Sequence, residues 1–259
     1  MTRVLSALVL LPVVVGTIWF LPPVATLVLA AIAALLAFVE YAAIARALGT
    51  HVPAAAVGAA VLAACVAVGL GAGAAEVMMT SVIVIGALAV ASGRPGPAIL
   101  RDAAASTLPI AYIGLPLGAF AAVRAISGRE AVLLLMLVIV VSDSAQYYTG
   151  RAFGRRPLAP TISPKKTIEG AIGGMVFGTA AMAVGGRWIL GREWWLLALA
   201  GATIAALGIV GDLFESLLKR SAGVKDSSQL IPGHGGVLDR IDSWLFAAPV
   251  YYMFVRFIA

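Results

Sequence analysis

Runs of about twenty apolar residues recur along the whole chain, and this repetition limits the fold more than any other feature. A helix needs roughly 20 such residues to cross the hydrocarbon core of a bilayer. Stretches of this kind fall near residues 4–20, 24–45, 54–74, 77–93, 103–123, 130–149, 169–186, 193–214 and 241–258. They make nine spans, or eight if the third and fourth, parted only by Ala75 and Glu76, are read as one. Only 12% of the 259 residues are charged, about half of the ~25% that a soluble domain carries. With 62% hydrophobic residues, the chain is neither an ordinary soluble domain nor intrinsically disordered, since disorder needs low hydrophobicity and high net charge. The lone cysteine, Cys65, excludes an internal disulfide or a Cys-ligated metal centre. The expected fold is an all-α integral membrane protein, a polytopic bundle of about nine transmembrane helices. It is expected to form one membrane domain over 1–259, with 1–140 mainly hydrophobic scaffold and 141–259 the half where polar residues collect.

The first stretch follows Met1-Thr2-Arg3 and has the look of a secretory signal. Its apolar run continues past Pro22-Pro23 into a second span, however, and no small-residue cleavage site follows. It is expected to remain as the first helix. With nine spans, the N-terminus and the even-numbered gaps share one side of the membrane. That side holds Arg3, Arg46, Arg94, Arg101, Arg151, Arg155, Arg156, Lys165, Lys166, Lys219, Arg220, Lys225 and Arg240, 13 of the 18 basic residues. Arg124, Arg129, Arg187, Arg192 and Arg256 fall on the other. The positive-inside rule assigns the richer side to the cytoplasm. The N-terminus is therefore expected in the cytoplasm and the C-terminus outside, with the chain in the inner (plasma) membrane.

Two cytoplasmic gaps, about 150–168 and 215–240, are longer than the rest. Long loops in compact proteins are usually functional or disordered. Lys165, Lys166, Lys219 and Lys225 all sit in or beside these gaps, and every other cation is an arginine. A general compositional habit does not produce that split.

In the second gap and the span before it, Asp212, Glu215, Ser216, Lys219 and Arg220 fall on one helical face at about 100° per residue. The approach, Leu207-Gly208-Ile209-Val210, is apolar, which places Asp212 at or just inside the cytoplasmic interface. An ionisable group there marks a site, a pathway or a paired structural ion; the plainer reading is an Asp212–Lys/Arg pair that finishes the helix. Lys225-Asp226-Ser227-Ser228 then leads to Ile231-Pro232-Gly233-His234-Gly235-Gly236. Three glycines around a histidine allow the backbone to curl round an anion and aim several N–H groups at it. Asp239 and Asp242 follow, three residues apart at the start of the ninth span. Such carboxylates serve as caps and dipole partners, or, beside Asp212, as hard oxygen ligands for Mg²⁺ completed by substrate phosphates.

The first gap begins inside a span, where Ser142-Asp143-Ser144-Ala145-Gln146-Tyr147-Tyr148 follows an apolar run. Asp143, Gln146, Tyr147 and Gly150 share a face, and Asp143 lies too deep for a solvated surface charge. An interhelical hydrogen bond is the plainer account. Gly154-Arg155-Arg156 and Ser163-Pro164-Lys165-Lys166-Thr167-Ile168-Glu169-Gly170 then supply cations and hydroxyls, a pattern that also suits anionic lipid headgroups. The chain has no P-loop, no dinucleotide-binding glycine fingerprint, no Gly-x-Ser-x-Gly and no His-Glu-x-x-His, which removes the chemistries those motifs serve.

The stretch Ser216–Asp242 resembles the signature of the phosphatidate cytidylyltransferases, or CDP-diacylglycerol synthases. Every fixed position is filled: Ser216, Leu218, Lys219, Arg220, Lys225, Asp226, Ser228, Ile231, Pro232, His234, Gly235, Gly236, Val237, Asp239, Arg240, Ile241 and Asp242. Ser142-Asp143 and the 163–170 segment are similar to the family's second polar segment. The resemblance covers roughly the last 120 residues; before about residue 140 it rests on hydropathy alone.

The resemblance implies an enzyme that joins CTP to phosphatidate in the membrane, giving CDP-diacylglycerol and pyrophosphate. It implies a polytopic helical fold, a homodimer, no nucleic-acid partner, and a cytoplasmic-side site holding Mg²⁺, with or without a second cation. Asp212 and Asp239 are the metal ligands it implies. Lys219, Arg220, Lys225, Asp226, His234, Arg240 and Asp242 complete the catalytic set. Asp143, Ser163, Lys165, Lys166, Thr167, Ser216, Gly235 and Gly236 are expected around the substrates. Three other readings stand beside it: a transporter of an anionic solute using Asp143 and Asp212, a lipid-binding structural protein, and a CDP-alcohol phosphotransferase, whose aspartate motif is missing.

Overall fold

Glycines two residues past the last helical position stop most of the long helices. In the computed structural model of the chain, the described residues are 2–93, 95–233 and 235–258, with side chains described from Leu8 onwards. Helices α1 (Thr2–Phe20), α2 (Pro23–Ala47), α3 (Ala54–Gly69), α4 (Ala74–Ala91) and α5 (Ile99–Pro109) come first. A π-helical turn at Ile110–Gly114 leads into α6 (Leu115–Phe153), and strands β1 (Pro157–Ala159) and β2 (Ser163–Thr167) follow. The chain ends with α7 (Ile168–Ile189), α8 (Trp194–Ser221) and α9 (Leu238–Phe257). After α2, α3, α4, α7 and α8, the glycines at 49, 71, 93, 191 and 223 all have positive φ, the left-handed stop that lets the final carbonyls find N–H partners.

Among the described residues, five helical segments are long and apolar enough to cross a membrane: Pro23–Ala47, Ala74–Ala91, Ile99–Phe153, Ile168–Ile189 and Trp194–Ser221. The third has 55 residues, about 80 Å of helix at 1.5 Å per residue, well over twice a hydrocarbon core of ~30 Å. Gly128 breaks it, with φ 84° and ψ −179°, between the expected spans 103–123 and 130–149. The five segments therefore contain six of the nine expected spans. The other three fall on α1, whose apolar part Leu8–Phe20 is short, on α3, also short, and on α9, which carries Asp239, Arg240, Asp242 and Arg256. The fold is that of a helical integral membrane protein.

The chain forms two compact units, Met1–Ala122 with Ser221–Arg240, and Val123–Arg220 with Ile241–Ala259. In the first, α3 lies against α2, α4 and the π turn, and its Val57, Val61, Ala64 and Cys65 are fully buried. Small residues make the approach possible. A Cβ on Gly114 would lie 2.6 Å from the Val61 carbonyl oxygen, far inside contact distance. Tyr41 Oη donates to the Ala105 carbonyl at 2.9 Å, tying α2 to α5.

In the second unit, buried glycines of α7 face α6 and α8, the small-residue packing usual between membrane helices. A Cβ on Gly170 would come within 2.8 Å of the Gln146 carbonyl oxygen, and one on Gly201 within 2.6 Å of Met182 Cβ. Gly211 does the same for α8 and α9, where a Cβ would meet the Asp242 carbonyl oxygen at 2.5 Å. Thr167 caps α7 by accepting the Gly170 N–H at 3.1 Å. The 150–168 gap thus contains an antiparallel hairpin, with Pro157 opposite Thr167 and Ala159 opposite Ser163, which the sequence reading left as loop.

These contacts predict that Gly114→Val destabilises the purified protein by about 1–3 kcal/mol through overpacking, seen as a lowered melting temperature in detergent. Gly86, where nothing lies within 4 Å of an added Cβ, should accept Ala with no loss. Equal melting temperatures for Gly114→Val and the parent would contradict the close α3 packing.

Candidate active site

Carboxylates gather where Gly211 lets α9 approach α8. Asp212 Oδ2 pairs with Lys166 Nζ, delivered by β2, and Ser216 Oγ, one turn further along α8, stands 3.5 Å from Asp212 Oδ1. Asp143 of α6 and Asp242 of α9 are close enough to Asp212 to repel it, and both are also within reach of Lys166. Asp143 is exposed on the surface of α6, and its Oδ1 accepts from Gln146 Nε2 at 3.1 Å, a bond within one helix rather than the interhelical bond considered above. Asp242 Oδ1 accepts the Ser243 N–H at 2.6 Å. The three carboxylates and Lys166 thus share one field.

Strand alternation sorts the hairpin lysines. Lys166 is half-buried against Asp212, whereas Lys165 is exposed. Ser163 starts β2, and Thr167 ends it as the helix cap described above. Glu169 holds the hairpin base by accepting the N–H groups of Arg155 and Arg156 at 3.0 and 3.2 Å. On α8, Lys219 turns inward to Glu215, whose side chain is fully buried, while Arg220 is exposed.

In the first unit the 221–240 segment folds round Asp239. Its Oδ2 accepts from Ser227 N at 2.9 Å, Ser227 Oγ at 2.8 Å and Gly236 N at 2.8 Å. Gly235 has φ 80°, and a Cβ there would lie 2.5 Å from the same carboxylate oxygen, so glycine alone fits. The Ile231 N–H closes the turn onto the Gly235 carbonyl at 2.8 Å. Lys225, Asp226 and Arg240 are exposed; His234 lies outside the described residues.

The sequence reading missed Glu40. It is buried in α2 and accepts from Ser228 Oγ at 2.7 Å, Ser227 Oγ at 2.9 Å, Val237 N at 2.9 Å and Leu238 N at 2.8 Å. A signal was present: Glu40 is the one acid in a mostly apolar 25-residue helix whose other charge, Arg46, lies in the last turn, and such a residue is by default a candidate for function.

Among the described residues, no group of three or more His, Cys, Asp or Glu side chains is arranged as a metal cage. Mg²⁺ needs none, since it takes one or two carboxylates and completes its shell with water and substrate phosphates. The carboxylate oxygens of Asp143, Asp212 and Asp242 are of the hard-donor type such a cation takes.

Membrane-length helices, acids gathered near helix ends and a glycine turn closed on a carboxylate define a helical membrane protein with its polar groups collected near helix ends. The chain belongs to the cytidylyltransferase family, which matches residues 1–258. A phosphatidate cytidylyltransferase of Haemophilus influenzae is 46% identical over 143 residues, 51% of this chain and 47% of that protein. One from Synechocystis is 47% identical over 131 residues, 50% of this chain and 44% of that protein. One from Staphylococcus haemolyticus is 41% identical over 150 residues, 58% of this chain and 57% of that protein. The chain thus spans about half the length of the curated relatives it matches.

The cluster makes an electrostatic prediction. Lys166→Met leaves three carboxylates without their shared cation and should lower the melting temperature by several degrees, since breaking such a pair strands its partner. Adding Asp143→Asn should recover more than half of the loss, because it removes one of the repelling charges. Two losses that simply add would show that Asp143 and Lys166 do not share a field.

Proposed function

We propose that this protein transfers the cytidylyl group of CTP to phosphatidate, giving CDP-diacylglycerol and pyrophosphate. The observation that carries this reading is the folding of the Ser216–Asp242 signature. Its Asp239 is held within the glycine turn and Asp212, just before it, lies against Lys166, while Lys165, Arg220, Lys225 and Arg240 stay exposed. Both reactants are polyanions, so the chemistry asks mainly for positioning and charge neutralisation. A phosphatidate oxygen forms the new bond to the α-phosphorus of CTP, and the bond to the β-phosphate oxygen breaks. The electron pair leaves on pyrophosphate. The attacking oxygen is already anionic, so no general base leads the step.

Asp212 in one unit and Asp239 in the other are each, separately, our candidates to ligate Mg²⁺, which when bound would offset charge on the triphosphate and the leaving group. Lys165, Lys225, Arg220 and Arg240 are assigned to the phosphates. Lys219 is assigned to Glu215 instead, as a buried pair that shapes the end of α8. Thr167 has a structural part, fixing where the hairpin enters α7.

The same reading takes the nine-span topology, with both polar segments in the cytoplasm, a cytoplasmic N-terminus, and a homodimer in the inner membrane. Contacts within the first unit support the parity. The 48–53 loop meets the start of α5, His51 N–H donating to Asp102 at 3.1 Å and Arg101 to the Gly49 carbonyl at 2.8 Å. Glu40, seven residues before the end of α2, meets the 227–238 segment. All of these lie in gaps assigned to the cytoplasm or near them.

Kinetics with purified protein, phosphatidate and Mg²⁺ test the assignment. Asp239→Asn should abolish turnover while the protein still inserts and purifies, since an amide is a far weaker Mg²⁺ ligand. Lys165→Ala and Lys225→Ala should each raise KM for CTP several-fold. Arg187→Ala should change neither constant, because that guanidinium donates to the Gly191 and Arg192 carbonyls at 3.2 Å on the side assigned to the exterior. Damage from Arg187→Ala equal to that from Lys225→Ala would overturn the placement.

A further inference from the structure

We propose that Glu40 is a positioning residue that seats the signature loop and, through Ser227, fixes the carboxylate of Asp239. The catalytic part of this claim rests on the cytidylyltransferase reading; the positional part does not.

Four donors converge on one carboxylate, two hydroxyls from Ser227 and Ser228 and the N–H groups of Val237 and Leu238. Val237 and Leu238 stand at the start of α9, where backbone N–H groups have no partner within the helix and the helix dipole favours an anion. Glu40 therefore acts as a cap supplied by a different helix, almost 200 residues away in the chain. A carboxylate suits the task because it only accepts and offers about four lone-pair positions. A glutamine would aim its NH₂ at two of the same donors. An aspartate would fall short by one methylene.

Ser227 extends the effect. Its hydroxyl lies 2.9 Å from Glu40 Oε2 and 2.8 Å from Asp239 Oδ2, yet a serine carries one hydroxyl hydrogen. The two carboxylates thus share a single donor, and the position of one depends on the other. Gly236 completes the fit. It is buried, and an added Cβ would collide with both Ser227 Oγ and the Glu40 carboxylate. Nothing bulkier than glycine leaves room for the carboxylate that holds the loop. The energetic logic is that of a buried anion, which is strongly stabilising to its surroundings only when its donors are all present.

The test uses the full-length protein in detergent, with Cys65→Ala and a reporter Leu230→Cys in the loop, an exposed position. Ser92→Cys, exposed at the end of α4, serves as the control reporter. Glu40→Gln should speed maleimide labelling at residue 230 about tenfold, the mark of a local opening, and leave residue 92 within about twofold. In the same variant kcat should fall about 100-fold, the order expected of a 1 Å misplacement, while KM for CTP stays within about threefold. Ser228→Ala removes one donor and keeps Glu40, so it should raise labelling at 230 by only about threefold, and the double variant should be no faster than Glu40→Gln alone. This gentler variant decides the matter if Glu40→Gln does not fold.

Unchanged labelling at residue 230 in both variants would overturn the positional claim. Labelling that rises equally at 230 and 92 would overturn it too, since it would show general loosening. Faster labelling at 230 with kcat intact would overturn the link to Asp239. If the parent itself turns over no CTP while labelling at 230 still responds, the cytidylyltransferase reading fails and the positional claim stands.

Discussion

An ionised carboxylate inside or beside a membrane-length helix is costly unless donors or cations surround it. Much of this protein's polar structure follows from that constraint. Asp212 is met by Lys166, Glu215 by Lys219, and Glu40 by four donors from the signature loop. Asp239 takes three donors from the same loop. Each solution also fixes a backbone segment. Lys166 brings the hairpin to α8, Glu40 brings the loop to α2, and Gly211 lets α9 come close enough for Asp242 to join Asp212. The exception is the trio Asp143, Asp212 and Asp242, which crowd into one field around Lys166.

The division of labour among the cations follows from burial. Lys166 and Lys219 lie against carboxylates of the protein, whereas Lys165, Arg220, Lys225 and Arg240 are exposed. On the proposed reading, exposed positive charge is what a nucleoside triphosphate, or a phosphate headgroup at the membrane interface, would meet. The Gly235–Gly236 turn adds a backbone that bends closely round Asp239, which explains why the signature demands glycine at a position with φ 80°.

Much of this was legible in the chain itself. The apolar runs located six of nine spans on helices of crossing length, but the helix-ending glycines were not used: the expected span 54–74 runs past Gly71, whose positive φ stops α3 at Gly69. The facing of Asp212 and Ser216 followed from helical spacing. The hairpin at 157–167 was not legible, since Pro157, Pro160 and Pro164 argue against strand; it is held from outside by Glu169 and ended by the Thr167 cap. Lys219 was assigned to phosphate because it fills a position of the signature; its pairing with the buried Glu215, one turn before it, shows only in the structure. Glu40 escaped notice because its partners lie some 190 residues away, although a lone acid in α2 was itself a sign.

The central claim concerns which phosphorus of the nucleotide is attacked, and label position reads that directly. Purified protein is incubated with phosphatidate, Mg²⁺ and CTP carrying phosphorus-32 at either the α or the γ position, and the lipid phase is counted. The account predicts that α label enters the lipid and γ label stays in the water as pyrophosphate, each only with phosphatidate and Mg²⁺ present. Label from the γ position in the lipid, or none from the α position, would contradict it.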